Sequence, residues 1–100
     1  MKSRRRRSRP KLMNIHFIVS ALQGSIPMDS WGVEPRESEK GVPNVRCSAY
    51  TNGIHWTVDI YSREFYRVKV GTDSADIVTT IPHLIGYLNR KLGLSETPKV

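Results

Sequence analysis

Residues 45–70 read VRCSAYTNGIHWTVDIYSREFYRVKV, and this stretch decides the fold. At its centre lies Asn52-Gly53, the dipeptide best suited to a two-residue type I′ turn, because both central residues of that turn have positive φ. The turn predicts a hairpin whose apolar side chains share one face, in the pairs Ala49 with Trp56, Cys47 with Val58 and Val45 with Ile60. The other face is polar and pairs Arg46 with Asp59, Ser48 with Thr57 and Tyr50 with His55.

A third strand continues this alignment after a short connection, Ser62 to Glu64. Its apolar residues fall opposite those of the second strand, in the pairs Ile60 with Tyr66, Val58 with Val68 and Trp56 with Val70. A shift of one residue would turn Arg67 and Lys69 toward the core, so the hydrophobic pattern resists it. We therefore predict a three-stranded antiparallel meander from Val45 to Val70.

A C-terminal helix is predicted by apolar residues at helical spacing, namely Ile77, Ile81, Leu84, Ile85, Leu88 and Leu92. Gly93 lies just past the predicted end, and Arg90 and Lys91 suit the negative end of the helix dipole. Pro82 leaves two alternatives, because proline removes a backbone donor. Either the helix kinks at Pro82, or Thr80 caps a shorter helix beginning at Ile81, with residues 74–79 in a separate turn.

The segment before the meander predicts one strand and one long loop. A period of two favours a first strand, in which Ile15, Phe17, Val19 and Ala21 alternate with Asn14, His16, Ile18 and Ser20. From Gln23 to Pro43 the chain is rich in glycine, proline and acidic residues, which predicts a loop. A loop of about twenty residues is uncommon in a small domain, so it is functional, a linker, or contains a short unrecognised element.

The predicted fold class is α+β: a small antiparallel meander of three to four strands packed on one C-terminal helix. We expect a basic arm at residues 1–12, disordered when free, a single domain at 13–94 containing the loop at 23–43, and a flexible tail at 95–100. One hundred residues leave no room for a second domain. A single cysteine, Cys47, excludes an intramolecular disulfide and fits a reducing compartment.

Positive charge is concentrated at the N-terminus. Seven of the sixteen basic residues lie in the first eleven positions, namely Lys2, Arg4, Arg5, Arg6, Arg7, Arg9 and Lys11. The nine that remain equal the nine acidic residues of the chain, so the arm carries the whole formal charge of +7. Arginine binds phosphate through a planar fork of donors. The sequence therefore predicts a non-enzymatic protein that binds DNA or RNA through this arm, assisted by Arg46, Arg67 and Lys69.

Two interpretations apply to the outward face of the meander. It mixes cations with aromatic rings, which is typical of sheets that stack single-stranded bases. The more common alternative is a solvated face, or one covered by the first strand or the long loop.

The second functional hypothesis is a protein-binding modulator or inhibitor that docks on a larger nucleic-acid-processing enzyme or complex. Its contacts would come from the 23–43 loop, with Met28 and Trp31, and from the exposed side of the C-terminal helix around Tyr87 and Arg90. An exposed Trp31 would anchor such a partner, although folding back to cap the core is the interpretation we favour for it.

Cofactor, metal and catalytic motifs are not recognised. His16, His55 and His83 lack the paired spacing of metal ligands, and Cys47 falls on the apolar face, where a thiol behaves as a small hydrophobe. We predict no cofactor and no enzymatic activity. An enzyme would require a concave site that gathers at least two of His55, Asp59, Asp76 and His83.

The apolar run from Met13 to Leu22 bears on membranes and targeting. It is too short and too polar to span a bilayer, so no membrane partner is expected. Its position after a basic stretch also fits a targeting peptide, which remains an alternative. We expect an intracellular protein, in the cytoplasm or nucleus of a host cell, such as a viral, phage or ribonucleoprotein accessory factor. The sequence distinguishes neither DNA from RNA nor one oligomeric state from another.

Overall fold

A computed structural model describes the backbone of residues 10–94 and the side chains of residues 16–94. The predicted arm up to residue 9 and the predicted tail at 95–100 lie outside the described residues. Within that range the chain forms two helices and five strands in the order α1 (Pro10–Ser25), β1 (Ser30–Glu37), β2 (Pro43–Thr51), β3 (Ile54–Ser62), β4 (Phe65–Val70), β5 (Asp76–Val78) and α2 (Ile81–Lys91). The predicted α+β class is confirmed.

All five strands form one antiparallel sheet in sequential order, with β1 and β5 at its edges. The predicted meander is confirmed with its register, including Ala49 opposite Trp56 and Trp56 opposite Val70. One detail differs, because Ser62 pairs with Phe65 and the register shifts after Ile60. Tyr61 is therefore the extra residue of a β-bulge, and the connection is shorter than the predicted Ser62 to Glu64.

The turn between β2 and β3 has the backbone geometry that its sequence predicts. Asn52 and Gly53 both have positive φ, at 53° and 82°. These values are those of a type I′ turn, whose twist matches the twist of the two strands it connects. The turn therefore fixes the register that places the apolar side chains of both strands on one face.

The predicted first strand is wrong, because its residues form the helix α1. Ile18 and Phe17 decide between the two patterns: Ile18, which alternation placed on the outer side, is 1% exposed, and Phe17, expected inside, is 69% exposed. The buried residues Ile18, Leu22 and Ile26 recur every four positions, which is helical spacing. Pro10 begins the helix. Proline suits this position because the backbone N–H that it lacks would have no partner within the helix. Lys11, assigned to the arm, thus lies in the first turn of α1.

The predicted 23–43 loop contains the end of α1 and the whole of β1. β1 was hidden because its sequence includes Gly32 and Pro35, both depleted in strands. Proline is tolerated on an edge strand, because backbone N–H groups on the outer side of that strand face no neighbouring strand and proline has no N–H to donate. The remaining turn is held locally, since the Ser38 hydroxyl accepts hydrogen bonds from the backbone N–H groups of Lys40 and Val42.

Of the two alternatives at Pro82, the shorter helix is confirmed. Thr80 is extended, and its hydroxyl accepts a hydrogen bond from the backbone N–H of His83 at 3.2 Å. At the other end, Leu94 donates to the carbonyl of Asn89 and Gly93, with φ of 71°, donates to that of Arg90. Ile77 was wrongly placed on the helical stripe, because residues 76–78 form the edge strand β5 instead of a turn.

Both helices pack on one face of the sheet, which we call the covered face. Its buried strand residues are Cys47, Ala49, Trp56, Val58, Ile60, Tyr66, Val68, Val70 and Val78, and the helices add Ile18, Val19, Leu22, Leu84, Tyr87 and Leu88. The meander therefore packs against the apolar face of α2, as predicted. The helix α1 packs on the same face of the sheet as α2. Neither described helix combines the length and the hydrophobicity needed to cross a bilayer.

Candidate functional site

The opposite, open face of the sheet carries the polar residues of the meander. The strand register places Arg46 of β2 and Arg67 of β4 on either side of Asp59 of β3. Exposed side chains on the same face belong to Tyr50, His55, Phe65, Lys69 and Ile77. The expectation that a first strand or the long loop covers this face is wrong within residues 16–94, because β1 extends the sheet and α1 packs on the covered face.

An ion pair lies at the centre of the open face. Arg46 Nε and Nη2 donate to the two oxygens of Asp59 at 2.7 and 3.0 Å. Arg67 Nη1 lies 3.8 Å from the same carboxylate, too far for a hydrogen bond. Hydrogen bonding to Asp59 raises the pKa of Arg46 against the opposing effect of burial. Asp59 is therefore neutralised mainly by Arg46, which leaves the Arg67 guanidinium available to an external anion.

Two pairs of aromatic rings flank this ion pair. The Tyr50 and His55 rings lie 4.8 Å apart between centroids, and the Tyr61 and Phe65 rings lie 5.4 Å apart. Tyr50, His55 and Phe65 are exposed. Exposed rings beside cations provide surfaces on which nucleic-acid bases stack.

The predicted nucleic-acid-binding residues fall into two groups. Arg46, Arg67 and Lys69 share the open face, and Lys69 Nζ donates to the carbonyl of Gly71 at 3.0 Å. The arm residues Lys2, Arg4, Arg5, Arg6, Arg7 and Arg9 lie outside the described residues, and of Lys11 only the backbone is described. Their role in binding stays a prediction.

The predicted partner-binding residues are not on one surface. Met28 is half-buried against the core, and Arg90 is exposed on α2. Tyr87 was wrongly placed on the exposed side of the helix, because it is buried and its hydroxyl donates to Asp76 at 2.7 Å. Burial, then the hydrogen bond to Asp76, raises the pKa of Tyr87 to about 12.

Trp31 does not cap the core, contrary to the interpretation favoured from the sequence. It lies on β1 opposite Ala49, on the covered face, but it is 51% exposed. Val33, two residues along the same strand, is also exposed. Every residue of β1 except the half-buried Arg36 is exposed. Trp31 and Val33 therefore form an exposed apolar patch at the edge of the sheet, which we call the edge patch.

The candidate catalytic and metal-binding groups are dispersed. Cys47 is fully buried, and burial raises the pKa of its thiol to about 11. Asp59 lies on the open face, whereas Asp76 on the covered face bonds to α2. Across residues 10–94, no three potential ligands among histidine, cysteine, aspartate and glutamate come together in a group that would hold a metal ion.

Sequence reasoning missed a depression of about 670 Å³ at one end of the open face, where β1 turns into β2. Its wall contains Arg36, Lys40, Asn44, Arg46, Asp59 and Arg67, together with Tyr61 and the residues of the β1–β2 turn. Convergence of His55, Asp59, Asp76 and His83 would indicate an enzyme, but of these four residues only Asp59 lines the depression. Arg36 and Asn44 are direct partners across β1 and β2, so their proximity depends on the strand that the sequence did not reveal.

Comparisons of this chain with protein-family models, with curated proteins and with solved structures found no match.

Proposed function

We propose that this protein is a non-enzymatic module that binds DNA or RNA through its arginine-rich N-terminal arm, with the open face of the sheet as a second contact surface. The observation that carries the proposal is the charge asymmetry: seven basic and no acidic residues in positions 1–11, against nine of each sign in the other 89. Such a segment attracts a polyanion at long range and meets its phosphates at short range.

The open face supports the proposal with chemistry suited to a single strand. Arg67 and Lys69 alternate along β4, which spaces two cations along one strand of the sheet. The Tyr50–His55 and Tyr61–Phe65 ring pairs lie beside them. Phosphates bound by the cations would leave the bases free to stack on the rings.

The expected mode of binding is largely independent of sequence. Arginine and lysine contacts to phosphates position a protein on nucleic acid without distinguishing bases. A role as an intracellular accessory factor of a virus, a phage or a ribonucleoprotein fits such binding, and is part of the same proposal.

Salt dependence of binding tests the arm. We would measure binding of the full chain to labelled single-stranded and duplex oligonucleotides by fluorescence anisotropy from about 50 to 300 mM salt. Seven phosphate contacts predict a slope of log affinity against log salt of about −6 on duplex DNA, from about −0.9 per contact. Deleting residues 1–9 removes six of the seven cations and leaves α1 intact. We expect the slope of the deletion variant to be shallower than that of the full chain by about 5, from six lost contacts at about 0.9 each.

The matched control replaces the five arm arginines, Arg4 to Arg7 and Arg9, with lysine. This variant keeps the charge and loses the fork geometry, so the slope should persist while affinity falls moderately. An unchanged affinity and slope after deletion of residues 1–9 would show that the arm is not the binding element.

The edge patch favours a second candidate function, a modulator that docks on a protein of a nucleic-acid-processing complex. Trp31 and Val33 are exposed on an edge strand, where tryptophan is an effective interface anchor. Because Tyr87 is buried, only exposed residues of α2, such as Arg90, could contact the docked protein.

Recovery of the full-length chain from its native lysate, with and without nuclease, separates the two functions. Companion proteins that survive nuclease and are lost from a Trp31→Ala variant support docking. Companions that disappear with nuclease in both chains support nucleic-acid binding instead.

A further inference from the structure

The depression between the β1–β2 turn and the open face has features of a binding site for one small ligand. Its volume of about 670 Å³ lies within the range of small-molecule sites. The turn at one side is held by two backbone hydrogen bonds, since the N–H of Ser38 donates to the Val42 carbonyl at 2.9 Å and that of Gly41 to the Ser38 carbonyl at 2.9 Å. The other side is formed by the hydrogen-bonded strands β2, β3 and β4. The depression is therefore shaped before any ligand arrives.

Charge in the depression favours an anion. Four cations, Arg36, Lys40, Arg46 and Arg67, and three carboxylates, Glu37, Glu39 and Asp59, line it, which gives a net charge of +1 from four minus three. Arg46 and Asp59 neutralise each other through two hydrogen bonds. In the described part of the chain, Arg36 and Lys40 pair with no carboxylate, and Arg67 only approaches Asp59. Three cations are thus available to bind phosphate oxygens.

Asn44 provides a second, independent observation. It lies on β2 opposite Arg36, lines the depression and is only 9% exposed. Its Nδ2 donates to the Val42 carbonyl at 3.4 Å, but its Oδ1 is buried and accepts no hydrogen bond from the described residues. A buried acceptor without a donor is destabilising, so native proteins rarely retain one. A ligand that donates an N–H or O–H to Asn44 Oδ1 would satisfy it.

We propose that this depression binds a nucleoside 5′-phosphate, either free or as one unit of a nucleic-acid strand. The phosphate lies against Arg36, Lys40 and Arg67, and a base amino group or ribose hydroxyl donates to Asn44 Oδ1. The Tyr61 ring, which lines the same depression, contacts the base. The strand-bound form of this inference rests on the proposed function, and the free form does not.

Titration calorimetry on the full chain tests the site with defined probes. We would compare the four common nucleoside 5′-monophosphates with inorganic phosphate and with the nucleosides alone. At least one monophosphate should bind about tenfold more tightly than either of its fragments, because it engages both the cations and Asn44. The inference is overturned if no monophosphate binds better than inorganic phosphate.

Two variants locate the binding. Asn44→Leu removes the acceptor at similar volume, and Arg67→Gln removes one cation. Each should weaken monophosphate binding by about tenfold, the effect of losing one good hydrogen bond. Arg63→Gln, which removes an exposed cation that does not line the depression, is the matched control and should leave binding unchanged. Thermal unfolding checks that the variants are folded, and Asn44→Leu should unfold at or above the temperature of the parent chain. Equal binding by Asn44→Leu and the parent would mean that solvent satisfies Asn44 and the inference is wrong.

Oligonucleotide binding by the same variants separates this inference from the proposed function. Weaker oligonucleotide binding by Asn44→Leu would show that the depression binds a nucleotide that is part of a nucleic-acid strand. Monophosphate binding without oligonucleotide binding supports a free nucleotide and contradicts the proposed function. Steep, salt-dependent oligonucleotide binding that Asn44→Leu leaves unchanged, with no monophosphate binding, leaves the proposed function standing and overturns this inference.

Discussion

Arg46 and Asp59 form a two-bonded ion pair across β2 and β3, and its two members are unequally buried. The Arg46 side chain is 28% exposed and the Asp59 side chain 5%. The arginine can therefore exchange its partner for water more readily than the carboxylate can. The sheet register that pairs them also places them at the border of the depression.

Loss of Arg46 should destabilise the fold more than loss of Asp59. Arg46→Leu leaves a buried carboxylate with Arg67 at 3.8 Å, and we expect it to lower the free energy of unfolding by about 3 kcal/mol. Asp59→Asn leaves an arginine that reaches solvent, for which we expect about 1 kcal/mol. Urea unfolding of both variants checks the order, and equal losses would show that burial does not govern the pair.

Thr51 should be more important than its size implies, because it connects three parts of the fold. Its hydroxyl accepts from Trp56 Nε1 at 2.9 Å and donates to the Pro27 carbonyl at 2.6 Å, which links the hairpin to the segment between α1 and β1. Thr51→Val should cost about 1–3 kcal/mol, since the buried indole N–H loses its acceptor. Thr51→Ser keeps the hydroxyl and is the control. Similar unfolding midpoints for the two variants would contradict this role.

The sequence predicted those elements whose geometry is set by neighbouring residues. The Asn52-Gly53 turn and the alternation on either side specify the register of β2, β3 and β4 without reference to the rest of the chain. The Thr80 cap and Gly93 similarly specify the ends of α2. Local rules were sufficient for these elements because turn or cap residues mark the ends of each element and a regular spacing of apolar residues marks its interior.

The elements that were missed depend on distant contacts. The apolar run around Ile18 is almost continuous, so periods of 2 and 3.6 both fit it, and packing of Ile18 and Leu22 against the sheet selects the helix. β1 lies at an edge of the sheet, and none of its residues is buried. Its sequence therefore carries no hydrophobic core pattern that would identify it as a strand. The depression could not be predicted without β1, since Arg36 and Asn44 meet only through that pairing.

The two tryptophans should differ in fluorescence, because Trp31 is half exposed and Trp56 is fully buried. Trp31→Phe should remove the emission that acrylamide quenches readily, and leave blue-shifted emission from Trp56 that resists quenching. Since Trp31 lies on an edge strand outside the core, this variant should change the free energy of unfolding by about 0.5 kcal/mol or less. A large loss of stability would show that Trp31 packs in the core after all.

Alkaline pH should destabilise the protein through groups whose buried neutral forms resist deprotonation. Burial raises the pKa of Cys47 from an ordinary value of 9.0 to about 11, and that of Tyr87 rises from 10.0 to about 12. Between pH 9 and 11 the unfolded chain loses the Cys47 proton while the folded chain keeps it, so the unfolded state binds fewer protons. Stability present below pH 9 is therefore lost as pH rises, and Tyr87 extends the loss toward pH 12.

Denaturant unfolding at intervals from pH 8 to 11 measures this effect. Each group should contribute a slope of up to about 1.4 kcal/mol per pH unit within its own range. Cys47→Ala should be less stable below pH 9 because it leaves a small cavity, but its stability should fall less steeply between pH 9 and 11. The comparison therefore uses slopes and not absolute values. Parallel curves for the two chains would mean that the Cys47 thiol ionises as readily in the folded protein as in the unfolded one.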